Sequence, residues 1–254
     1  MRLIVALLIL FACCVARGRM VNVVEPRQGL AFTETEVIEQ AAAAKSALLK
    51  SVREKDQFGC VVYCKMVKGV WQRLLPVIRF QRTGRRVLLS LVVVTSPDIQ
   101  ALSFPDGTIV ISEAFIEREQ LVGAQVAFVL AHEVTHVLLQ HERQTLTSML
   151  ALIPSPARHT PQDVYTEMEF NYFSMADSMA PIFHQVEFEA DEVGLQLAAL
   201  AGYDPAAQLL FLERSARRET GQSMVPTHPS MDSRWKQLCQ LLPLAQRLLE
   251  VGRH

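Results

Sequence analysis

The pentapeptide His132-Glu133-Val134-Thr135-His136 combines two imidazoles and a carboxylate at a spacing suited to a divalent metal. On a helix, residues four apart share one face a turn apart, so both imidazoles can reach a single ion. Glu133 then lies about 100° round the axis, where it can hold a water at the ion without ligating it. Chance gives roughly 0.01 such patterns in a chain of this length and histidine content. The surrounding run V-A-F-V-L-A-H-E-V-T-H-V-L-L is apolar, and an unpartnered imidazole pair and carboxylate would be unfavourable there. Two histidines make half a site, since catalytic zinc takes three protein ligands and keeps a position for water.

A Gly three residues and a His six residues after His136 would extend the pattern, but those positions are Leu139 and Glu142. His141 follows by five, more than a right angle off the ligand face of a continuous helix, and is expected to be solvated or capping. A better donor lies in His184-Gln185-Val186-Glu187-Phe188-Glu189-Ala190-Asp191. Glu187 and Asp191 share a helix face, so Glu187 can ligate while Asp191 accepts from the second nitrogen of a ligand histidine. Glu189, about 200° from Glu187, is expected to face solvent, and His184 to sit at the rim.

The elements that must position these groups read as α+β, predominantly helical with a small sheet. Residues 33–55 form a helix capped by Thr33 or Thr35 and ended by Gly59. Residues 60–80 show no clean period. Residues 85–97 read as a buried strand, and Thr108–Ser112 as a second after the Pro105-Asp106-Gly107 turn. The second strand is expected to be the sheet edge bordering the metal helix, open to an extended peptide. Helical periodicity runs through 119–148. Pro154, Pro156 and Pro161 make 149–164 a loop that could cover the cleft. Further helices are expected at 178–200, from Pro205 to about 218 with Asp204 as N-cap, and at 230–250.

Composition narrows the function classes. A net charge of −1 with no block of five like charges excludes nucleic-acid binding through a basic field. A hydrophobic fraction of 50% against 20% charged residues excludes intrinsic disorder. Leu3–Ala16 is an apolar run too short to span a bilayer, and it reads as an export signal cleaved after Ala16. Leu10-Phe11-Ala12-Cys13 also resembles a lipobox, which would lipidate Cys13 and tether the chain to a membrane. The expected division is leader 1–16, N-terminal helical segment 17–84 and catalytic domain 85–254. Cys60 and Cys64 either form a disulfide across a bend or stay buried thiols.

The motifs together resemble a known family. H-E-x-x-H followed by Glu187-Phe188-Glu189-Ala190-Asp191 is similar to the gluzincin peptidases that include CAAX prenyl proteases, HtpX and the mitochondrial OMA proteases. The small exported BepA/LoiP-like branch matches best, through S-F-P-D-G-T-I-V-I-S (103–112), G-Y-D-P-A-A (202–207) and T-H-P-S-M-D-S-R (227–234). The resemblance spans residues 88–236. It implies one zinc per chain on His132, His136 and Glu187, with Glu133 as general base. It places His228 near the metal, either stabilising an oxyanion or occupying the open position. Arg234 is expected to pair with a carboxylate. The implied activity is endoproteolysis of unfolded or misfolded proteins in extracytoplasmic quality control, periplasmic or outer-membrane-associated in a bacterium, or mitochondrial. The alternative is a latent, chaperone-like zinc protein. Neither the repeat domain of the BepA-like branch nor the membrane helices of the prenyl protease and HtpX branches is expected here, so substrate range does not carry over.

Overall fold

The computed structural model describes residues 21, 29–81, 87–153, 159–219 and 229–253. The leader, Cys13, Pro154, Pro156 and His228 lie outside them. Helix α1 (Glu34–Glu54) opens on a reciprocal cap: the Thr33 hydroxyl accepts from Glu36 N, and the Glu36 carboxylate accepts from Thr33 N at 2.7 Å. It ends at Glu54, ahead of Gly59, with Asp56 taking φ 55°. The stretch expected to lack periodicity is helix α2 (Cys64–Phe80). Its buried positions, Val67, Val70, Trp71, Leu74 and Ile78, recur every three or four residues. The partly exposed Leu75 and Val77 flanking Pro76 mask that stripe in the sequence. Cys60 and Cys64 form the disulfide, Cα–Cα 5.4 Å, across the bend that starts α2. Buried Glu113 accepts the backbone N–H groups of Val61, Val62 and Tyr63 there.

Three strands form the sheet: β1 (Ser90–Val94), β2 (Ala101–Ser103) and β3 (Thr108–Ser112), in the order β1-β3-β2. β3 pairs parallel with β1 and antiparallel with β2. The strand expected at the edge is therefore the centre, and all five of its residues are buried, as suits a strand covered on both sides. The edge nearer the metal helix is β2. The expected strand 85–97 shortens to five residues. Gly107 makes the β2–β3 turn at φ 92°, where a Cβ would strike the Leu88 carbonyl.

Helix α3 (Glu113–Arg118) leads to α4 (Gly123–Leu138) and α5 (His141–Leu150). The expected continuous helix over 119–148 is broken between them, where Gln140 adopts φ 54°. The 149–164 loop is shorter than expected, because Thr160 caps α6 (Pro161–Phe170), with Pro161 as its first residue. Helix α7 (Tyr172–Leu200) begins six residues earlier than expected and carries Pro181 in its interior. Helix α8 (Pro205–Arg218) has the Asp204 cap, and α9 (Met231–Gly252) is capped by Ser230. Among the described residues no helix is long and apolar enough to cross a membrane.

Helix α4 runs through the main core, packed against α2, α7, α8 and the sheet. Where α4 meets α7, a Cβ on Gly194 would lie 2.9 Å from the His132 amide nitrogen. Only glycine permits that approach, and it brings the two ligand-bearing helices together. A smaller cluster of Phe32, Val37, Leu146, Met149, Val164 and Met179 holds α1, α5 and α6 to the first half of α7.

Candidate metal centre

The α4 face that carries His132 and His136 meets the α7 face that carries Glu187. His132 Nε2 lies 3.0 Å from His136 Nε2 and 3.7 Å from Glu187 Oε2, and His136 Nε2 lies 3.6 Å from Glu187 Oε1. Ligand bonds of about 2.0–2.1 Å at tetrahedral angles separate donor atoms by about 3.3 Å. The three distances bracket that value, and two imidazoles with a carboxylate are a donor set zinc accepts. The residues fit the ion.

His132 Nδ1 lies 3.0 Å from Asp191 Oδ1, as the spacing predicts. Arg234, on α9, grips the same carboxylate with Nε at 2.7 Å from Oδ2 and Nη2 at 2.6 Å from Oδ1. It also reaches Glu187 Oε2 at 3.6 Å, so the expected carboxylate pairing of Arg234 has two partners. Burial alone would raise the Asp191 pKa, but the Arg234 charge and hydrogen bonds override it and hold the carboxyl at about 2. Burial likewise acts to lower the His132 pKa, yet the Asp191 hydrogen bond and the Glu187 and Asp191 charges leave it raised. The carboxylate that orients His132 is thus charged at neutral pH and locked by a two-point clamp.

Glu133 points into a cleft of about 580 Å³ lined by His132, His136, Glu187, Phe183, Arg234 and the β2 segment. Burial pushes its carboxyl above the ordinary range, opposed in part by the His132 charge and a hydrogen bond from Ser103 on β2. Pro229 lines the same cleft, next to His228, which lies outside the described residues. His184 stacks edge-on near Phe188, centroids 6.4 Å apart, and is not one of the three clustered ligands.

One expectation fails on the other side of the pair. His141 is not solvated: it is 2% exposed, with Nδ1 2.9 Å from His136 Nδ1. Glu189 is partly exposed as expected, its side chain 39% accessible, and its Oε2 also lies 3.5 Å from His141 Nε2. The angular argument assumed one continuous helix. The left-handed Gln140 starts a new helix and swings His141 back beneath His136. Glutamine gives no sequence signal for that conformation.

Residues 65–241 match the model of peptidase family M48. The chain is 28% identical over 180 residues to the mitochondrial metalloendopeptidase OMA1 of Bos taurus, covering 63% of this chain and 33% of that protein. It is 29% identical over 163 residues to the mitochondrial metalloendopeptidase OMA1 of Arabidopsis thaliana, with the same two coverages. Against the beta-barrel assembly-enhancing protease of Escherichia coli K12 it is 27% identical over 156 residues, 56% of this chain and 32% of the relative. The chain spans about a third of the length of these curated relatives. With a family match across most of its residues and the H-E-x-x-H helix inside that match, the chain belongs to peptidase family M48.

Proposed function

We propose that this chain is a zinc-dependent metalloendopeptidase that holds one zinc ion on His132, His136 and Glu187. The observation that carries the reading is the approach of three ligand residues: the two imidazole Nε2 atoms lie 3.0 Å apart and each faces one Glu187 oxygen, at 3.6 and 3.7 Å, with His132 fixed by Asp191 and Arg234. Zinc bound there supplies Lewis acidity, activating a water and polarising a peptide carbonyl. Glu133 takes the proton of the attacking water on its carboxylate and returns it to the leaving amine. A carboxyl pushed upward by burial suits both directions of that transfer. His228 is the proposed further donor to the developing oxyanion, carried from the Thr227-His228-Pro229 motif.

Substrate binding is assigned to the free edge of β2. Phe104 N donates to Thr108 O, and Ser112 N to Gln100 O, so residues 100, 102 and 104 face β3. By alternation Ala101 and Ser103 turn their backbone groups away from β3, on the strand that lines the cleft. An extended peptide can pair with these groups, which makes recognition depend on backbone and favours unfolded or looped protein segments. Proline at Ala101 would remove an outward N–H and spare the β3 ladder. Ala101→Pro should lose peptide cleavage while keeping zinc and fold; unchanged cleavage removes β2 as the docking edge. Unfolded or misfolded proteins in an extracytoplasmic compartment, periplasmic or mitochondrial, are the proposed substrates, with peripheral or lipid-anchored membrane association through the leader.

The deciding experiment measures metal content and casein cleavage for the protein and for Glu133→Gln. One zinc per chain, with cleavage lost in Glu133→Gln, supports the reading. Equal cleavage by both refutes Glu133 as the base, and absence of stoichiometric zinc refutes the metal centre. Stoichiometric zinc without cleavage in either protein points to the latent, chaperone-like alternative.

A further inference from the structure

We infer that His141, with the Glu189 carboxylate behind it, fixes the tautomer and orientation of His136, the counterpart of Asp191 behind His132. The inference rests on the reading of His136 as a metal ligand and adds two positioning residues to it. A neutral imidazole carries one proton, on one nitrogen only. With Nε2 offered to the ligand triangle, the His136 proton must sit on Nδ1. That nitrogen is 2.9 Å from His141 Nδ1, so the His141 nitrogen must be the acceptor and its own proton must lie on Nε2. Nε2 completes no hydrogen bond among the described residues, but the Glu189 Oε2 charge 3.5 Å away favours a proton on that nitrogen. One placement of protons therefore serves both nitrogens of the His136–His141 contact and suits the carboxylate behind it.

The surroundings hold that placement. The His136 and His141 rings lie 81° apart with centroids at 4.8 Å, and their Nδ1 atoms are within hydrogen-bond reach of each other. At 2% exposure, water does not compete for His141. Gln185 donates to the other Glu189 oxygen at 2.8 Å and steadies the carboxylate from one turn earlier on α7. The two arms differ in kind. His132 leans on a charged carboxylate directly, whereas His136 leans on a neutral ring backed at 3.5 Å by a carboxylate at the partly open surface.

The test strips the full chain of metal and titrates it with Zn2+ against a chromophoric chelator, with Co2+ absorption as a reporter of ligand geometry. His141→Phe keeps a ring but removes the acceptor, and should weaken Zn2+ binding about 10–100-fold with an altered Co2+ spectrum. His141→Asn places an amide oxygen near the lost Nδ1 and should recover most of the affinity. Glu189→Ala, at a side chain 39% exposed, should fold normally and weaken binding by less than His141→Phe. Wild-type affinity in a folded His141→Phe, or equal losses in the Phe and Asn variants, overturns the inference. If His141→Phe does not fold, unchanged affinity in Glu189→Ala overturns it alone. Failure of the wild type to bind Zn2+ would overturn the metal centre itself, a distinguishable result.

Discussion

The two halves of α7 behave as different materials. From Ala190 to Leu200 every residue except Glu192 is buried, and Gly194 lies against the backbone of α4. From Tyr172 to Gln185 only Ala176 and Met179 are buried, and Phe173 is 96% exposed. Glu187 and Asp191 sit at the junction. The closed half fixes the groups that must hold an ion within tenths of an ångström, while the open half contributes Phe183 to the cleft wall. Regions with few buried contacts open at lower free energy, so the wall can yield to a polypeptide without disturbing the ligands.

That contrast can be broken from its rigid side. Asp191→Ala leaves the Arg234 guanidinium buried without its main partner and frees His132. It should cost about 3–5 kcal/mol in urea unfolding of the metal-free protein. A loss below 1 kcal/mol would mean that the clamp does not hold the junction.

Acid should dismantle the same clamp. The Asp191 carboxyl is held at about 2 against an ordinary 3.8, so its folded pKa lies below its unfolded one. Its stabilisation is fully present above about pH 4 and is lost as pH falls towards 2, roughly 2 kcal/mol in all. Asp191→Asn has no such carboxyl, so the stability gap between wild type and this variant should narrow on going from about pH 6 to about pH 3. A constant gap would rule out the charged carboxylate as the stabilising form.

Gly194→Ala sharpens the comparison by adding one methyl at the α4–α7 contact. Backbone rather than a flexible side chain stands in its way, so about 1–3 kcal/mol of stability should be lost, and zinc affinity with it as His132 moves from Glu187. Phe173→Ser on the open half should change stability by no more than about 0.5 kcal/mol and leave zinc affinity intact. If Phe173→Ser destabilises as much as Gly194→Ala, the two halves are equally rigid.

How far the site is legible in the sequence follows from how local each part is. His132, Glu133 and His136 follow from helical period alone, as does the pairing of Glu187 with Asp191 on one face, because backbone geometry over four residues is nearly constant. The Thr33, Asp204 and Pro205 boundaries are equally local, since a cap and its orphan N–H groups are close neighbours in the chain. Helix α2 was present in the sequence as a stripe at Val67, Val70, Trp71, Leu74 and Ile78, but adjacent apolar residues concealed which face was inward.

Tertiary structure decided the rest. The position of β3 depends on which strands pair with it, and β1 on one side with β2 on the other made it central where its apolar run alone allowed either place. The fate of His141 turned on one backbone torsion at Gln140, whose side chain accepts from Arg143, itself bonded to the Phe32 carbonyl far away in sequence. The chain by itself settled which atoms could bind an ion and on which helical faces they lie. Only packing, through the Gly194 contact and the Asp191–Arg234 clamp, settled that the faces meet and what stands behind each histidine, because contact between distant segments is paid for by the whole core rather than by any local period.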